Sequence, residues 1–214
     1  MSFRQVTSRP LRFLFTTLAL ADSGVLLTGL LRHFIRVAFD IDFRQSSTVI
    51  CRLSVFFVYF LPQLSAWTLV LITGQRFNAV YFPLRALSKT LRRSVLIYAI
   101  GFIVLFSLNC HHLFLFEITK KYGCYHQDAY YDFYEHVFPW IDMIFLFFLP
   151  FTVIAVCNIV MVYQLAKSHR FQKSLSPHSQ TNAVKSIRQI TITLIAINFV
   201  YLFTTAPQLS LIHI

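Results

Sequence analysis

Residues 51–78 read CRLSVFFVYFLPQLSAWTLVLITGQRFN, and no charged residue lies between Arg52 and Arg76. Arg76 follows Cys51 by 25 residues. At about 1.5 Å per helical residue this is roughly 37 Å, enough to cross a hydrocarbon core and reach both head-group layers. One helix can therefore hold a thiol at one face of a membrane and a guanidinium at the other. Pro62 lies inside the stretch, where a membrane helix tolerates it as a kink. Gln63 and Ser65 are its central polar groups.

The rest of the chain fits such a helix. Of 214 residues, 57% are hydrophobic and 13% charged, against about 25% charged in a soluble domain. Five Gly and 24 Phe favour helices with long apolar flanks over a turn-rich β protein. A soluble helical core of this length could not bury so much apolar surface. The expected fold class is an all-α integral membrane protein.

Five apolar runs are expected to span: 11–31, 51–74, 94–116, 137–165 and 190–212. The first contains Asp22 and lacks a small-residue cleavage site, so it is not read as a cleaved signal. A carboxylate in mid-span is costly unless it faces a protein or water-filled interior, which marks Asp22 as functional or as a partner for a neighbouring helix. Asp142 opens the fourth run, which carries Pro150. Pro207 lies near the end of the fifth.

Charge then orients the chain. Residues 1–12, 75–93 and 166–189 carry three, five and five of the 19 basic residues, and no acid. Residues 113–136 carry two Lys against four acids. By the positive-inside rule the N-terminus is cytoplasmic and, with five spans, the C-terminus extracellular. The net charge of +11 is thus mainly a topology signal, and a nucleic-acid partner is not expected. Cys51 and Cys124 then share the oxidising side, where they either form a disulfide or remain two free thiols. Cys110 and Cys157 fall within spans. No cysteine pair has metal-binding spacing.

Taken in order, these residues resemble the rhodopsin-like (class A) G-protein-coupled receptors, from their second to their sixth transmembrane helix. LALAD at 18–22 resembles the second-helix motif centred on its acid. Cys51 and Arg76 resemble the third-helix cysteine and the arginine of the D/E-R-Y motif; Gln75-Arg76-Phe77 departs from it at Gln75. Ala79–Leu84 is similar to the second cytoplasmic loop, and Cys124 to the loop cysteine bonded to the third helix. FLPF around Pro150 resembles the fifth helix. Thr204–Pro207 keeps only the proline of the sixth-helix CWxP motif.

The resemblance implies an incomplete seven-helix bundle in the plasma membrane, with an extracellular ligand and a heterotrimeric G protein as partners. Arg76, with Gln75 and Phe77, would be the G-protein contact and switch. Gln75 cannot form the resting ion pair with Arg76, so a weaker resting lock and basal activity are expected. Asp22 and Ser65 match an allosteric sodium site, or else a water-filled polar network; no other cofactor is expected. Pro150, Pro207 and Tyr201 would form the helix-kink switch.

Aminergic receptors of this family hold an ammonium through an aspartate where Val58 stands, which disfavours an amine. Val58, Tyr59, Gln63, Asp142 and Gln208, with His111 and His112, are the candidate pocket residues. The loop YGCYHQDAYYDFYEH at 122–136 is aromatic and acidic and suits a cationic, amidated peptide. The overall pattern is similar to invertebrate neuropeptide receptors of the FMRFamide type. Alternatives are a non-signalling truncated receptor, or a transporter or channel fragment using Asp22, Asp142 and the histidines as a relay. No enzyme motif is present. The five spans and the missing seventh-helix motif are read as a fragment.

Overall fold

Helix α1 (Arg9–Phe39), helix α2 (Thr48–Tyr81) and helix α3 (Leu91–Asn109) are followed by a single turn at His112–Leu115. Strands β1 (Phe116–Thr119) and β2 (Gly123–His126) lead into helix α4, which runs from Phe133 to Leu175. The computed structural model describes residues 9–81, 91–119 and 123–175. Within them are four helices long and apolar enough to cross a membrane. The expected span at 190–212 lies outside the described residues, as do Tyr201, Pro207 and Gln208.

Helix α2 is the hub. Of its most apolar window 56% is buried, against 11%, 17% and 22% for α1, α3 and α4. The three outer helices turn apolar side chains such as Leu27, Ile103 and Ile159 outward, as lipid-facing helices do. Three clusters line α2. Leu11 and Leu14 of α1 pack on Ile72 at the Arg76 end. Ala21 and Leu105 close on Phe56, Phe60 and Leu64 at mid-height. Val55 meets Phe116, Tyr134 and Phe138 at the Cys51 end. Tyr98 of α3 reaches the hydroxyls of Thr17 on α1 and Thr68 on α2. At Gly24, α1 and α2 approach so closely that a Cβ would sit 2.7 Å from Leu61 Cδ1.

Several elements differ from the sequence expectation. The first helix does not stop at residue 31. Residues 32–39 contain no Gly or Pro, and the helix continues until Asp40 takes a left-handed conformation, with φ 55°. Beyond it Asp42 caps the Arg44 N–H and pairs with its guanidinium at 2.7 Å. That hydrogen-bonded cation holds the Asp42 carboxyl below its usual range. The third span reaches Leu115, close to the expected 116, but is broken by a turn at residues 110–111, just after Asn109, whose side chain bonds back to the Leu105 carbonyl. Phe116–Thr119 and Gly123–His126 pair as antiparallel strands. Gly123 enters β2 at φ 71°, packed against the Gln45 side chain.

Helix α4 contains a wide turn at Ile144–Phe148, where the Leu149 N–H reaches back to the Ile144 carbonyl. The next bond of that kind would need an N–H at position 150, and Pro150 has none. The Phe145 carbonyl is thereby released, and Trp67 of α2 donates its indole N–H to it at 3.0 Å. Trp67→Phe is expected to lower stability by about 1–2 kcal/mol, since it removes the bond and strands the carbonyl. Thermal unfolding in detergent checks this.

Candidate functional site

The sequence candidates gather at three levels along α2. At the hairpin end, Cys51 and Cys124 form a disulfide, with Cα atoms 5.6 Å apart. Cys51 is fully buried. Arg52 Nε donates to the Phe116 carbonyl at 2.7 Å, so β1 is held to α2 one residue from the bridge. Cys51 begins the buried face of α2, which explains why the hairpin lies across the helix end.

Below the hairpin lies an aromatic basket. Tyr59 stacks on His112, with centroids 4.7 Å apart. His111, Tyr134 and Phe138 surround the same ring. Both ring nitrogens of His112 and the Tyr134 hydroxyl are buried without a hydrogen-bond partner among the described residues. His126 stacks on Tyr134 and points Nε2 at Glu135, 3.5 Å away. Tyr125 donates to the same carboxylate at 2.8 Å.

At mid-height the structure joins Gln63 and Asp142. The Gln63 amide donates to Asp142 Oδ1 at 2.7 Å, and its carbonyl accepts from Asn109 Nδ2 at 2.7 Å. All three are buried. Gln63 thus ties α2 to both α3 and α4, using the two ends of one amide. Asn109 was not singled out as a site residue. An amide in an apolar run was the signal available. Val58, half-buried, adds no polar group. Asp22 lies apart from this triad and accepts a hydrogen bond from Ser65 Oγ. The two carboxylates within spans, Asp22 exposed and Asp142 buried, therefore bond to different partners rather than to one relay.

At the far end Arg76 is half-buried, and its Nε is buried with no hydrogen-bond partner among the described residues. Gln75 does not turn toward it. Its amide donates to Ser94 Oγ of α3 at 2.9 Å. Phe77 stacks on Tyr81, with centroids 5.5 Å apart.

Residues 1–214 match the family described as 7 transmembrane receptor (rhodopsin family). The chain belongs to that family. Membership explains the bundle's central helix, bridged near one end to a loop strand and carrying an arginine in its last two turns at the other. A rhodopsin-family chain is a multi-pass membrane protein and a signalling receptor rather than an enzyme. Its partners are in general a ligand and a G protein.

Proposed function

We propose that this rhodopsin-family chain senses a cationic peptide of the neuropeptide class at the hairpin end and couples to a heterotrimeric G protein through Arg76. The hairpin end then faces outward and the Arg76 end faces the cytoplasm, in accord with the basic, acid-free segments on that side. The observation that carries the coupling is the state of Arg76. All eight carboxylates of the chain lie at residues 22, 40, 42, 117, 128, 132, 135 and 142, none of them on the Arg76 side. The guanidinium therefore has no acidic partner there within the chain and can meet one from outside.

The ligand class rests on surface chemistry. Asp128, Asp132 and Glu135 are exposed beside Tyr130 and Tyr131, a surface that attracts cations by charge and by ring faces. Val58 supplies no carboxylate for an amine. Asp22 and Ser65 offer two hard oxygens from adjacent helices, which fits the family's sodium ion, and these two residues would hold it.

Nucleotide exchange on a purified heterotrimeric G protein, with the chain in lipid nanodiscs, tests the coupling. Exchange above the receptor-free rate without ligand is expected, and Arg76→Ala is expected to remove about 90% of it, the effect of one charged contact worth about 1.4 kcal/mol. No exchange from the unaltered chain would overturn the reading. Addition of short cationic, amidated peptides, against neutral ones of equal length, tests the ligand class.

A further inference from the structure

We infer that Ser94 is a positioning residue for Arg76, acting through Gln75. This rests on the coupling role proposed for that arginine. A glutamine next to the arginine could give its amide carbonyl to the guanidinium and hold it. Here its amide is drawn the other way, donating at 2.9 Å to a serine on α3. Ser94 is buried at 6% exposure, so water competes poorly for its hydroxyl. The bond joins two helices that also meet through Tyr98, which packs on the same cluster as Leu71 and reaches Thr68.

Two consequences follow from the geometry. The Gln75–Ser94 bond pins this end of α2 against α3, which fixes the direction in which the next residue leaves the helix. It also keeps Gln75 turned from Arg76, whose Nε stays without a partner among the described residues. The restraint at this end therefore acts on the helix rather than on the guanidinium. Arg76 is held in place and left open to an external acceptor. A carboxylate at position 75 would do the opposite, closing on Arg76 itself.

The test uses the full chain in nanodiscs, with two readouts. Ser94→Ala and Gln75→Ala should each lower ligand-free nucleotide exchange about threefold to tenfold, the range of one buried hydrogen bond. The double variant should fall no further than either single one. Ser94→Thr, which keeps the hydroxyl, should restore most of the rate. Thr152→Ala, whose exposed hydroxyl only bonds back to its own helix, should change nothing. In thermal unfolding the Gln75 and Ser94 variants should also be non-additive.

Unchanged exchange in Ser94→Ala, with Arg76→Ala still inactive, overturns the positioning role. Loss of exchange in Ser94→Thr as large as in Ser94→Ala overturns it too. Additive unfolding shifts overturn the bond itself. A chain that drives no exchange at all, yet shows non-additive unfolding, keeps the α2–α3 clamp and removes the coupling reading instead.

Discussion

Cys51→Ser is expected to cost about 4 kcal/mol, close to the whole stability of a marginal helical bundle. The bridge closes a loop of 73 residues, and the chain-entropy relation gives about 4.4 kcal/mol for such a loop. The loop contains most of α2, all of α3 and β1, so the open form gains freedom in three packed elements. The damage spreads locally as well. Cys51 is fully buried among Val55, Phe116 and Tyr134, and a serine there brings a hydroxyl into an apolar cluster. The Arg52–Phe116 bond would be left as the main tie across the helix end. Cys124→Ser should match Cys51→Ser within about 1 kcal/mol, since either opens the same bridge and Cys124 is only half-buried. Unfolding in detergent, with and without reductant, measures both. A reduced unaltered chain that melts with the variants confirms the covalent origin, and one that melts unchanged refutes it.

Gln63→Leu is expected to cost about 2–5 kcal/mol, more than Asp142→Leu. Glutamine is the middle of the triad. Its loss strands a carboxylate oxygen and an amide N–H at once, each costing about 1–3 kcal/mol when buried. Removing Asp142 strands only one Gln63 donor and also removes a carboxylate from an apolar interior. Interhelical hydrogen bonds in membranes average only about 0.6 kcal/mol when both partners can adjust, so an ordering of Gln63 above Asp142 points to stranding rather than bond loss. The decisive measurement is the Gln63→Leu/Asp142→Leu pair. It should be more stable than Gln63→Leu alone, because the second change removes the stranded acceptor. A pair less stable than either single variant would show that the carboxylate has another partner.

The helical skeleton was legible because membrane spans are read from long apolar runs, and α2 carries the clearest one. The bridge was legible because two cysteines fall on the same side once basic segments are aligned. What the apolar pattern hid is instructive. The hairpin strands are four residues each, FEIT and GCYH, too short for alternation to stand out from a loop. The wide turn at Ile144–Phe148 looks like any apolar helix in one dimension, and its released carbonyl becomes visible only when Trp67 arrives from another helix. Asn109 and Ser94 sit 46 and 19 residues from the groups they bond. Neither spacing has a local signature. Gln75 was read through what it lacks, a charge; the structure adds what it does, which is to reach α3.

The encirclement of α2 also has a consequence for how the chain is made. Synthesis runs from the N-terminus, so α2 enters the bilayer after α1 and before α3 and α4. Gln63 must then wait 46 residues for Asn109 and 79 for Asp142. Until both arrive, its amide sits in hydrocarbon or in the insertion machinery without its final partners. The helix on which every other described helix packs is therefore satisfied only once α4 arrives. Ribosome-bound chains that stop before residue 142 should remain open to quality control, and those that extend past α4 should escape it.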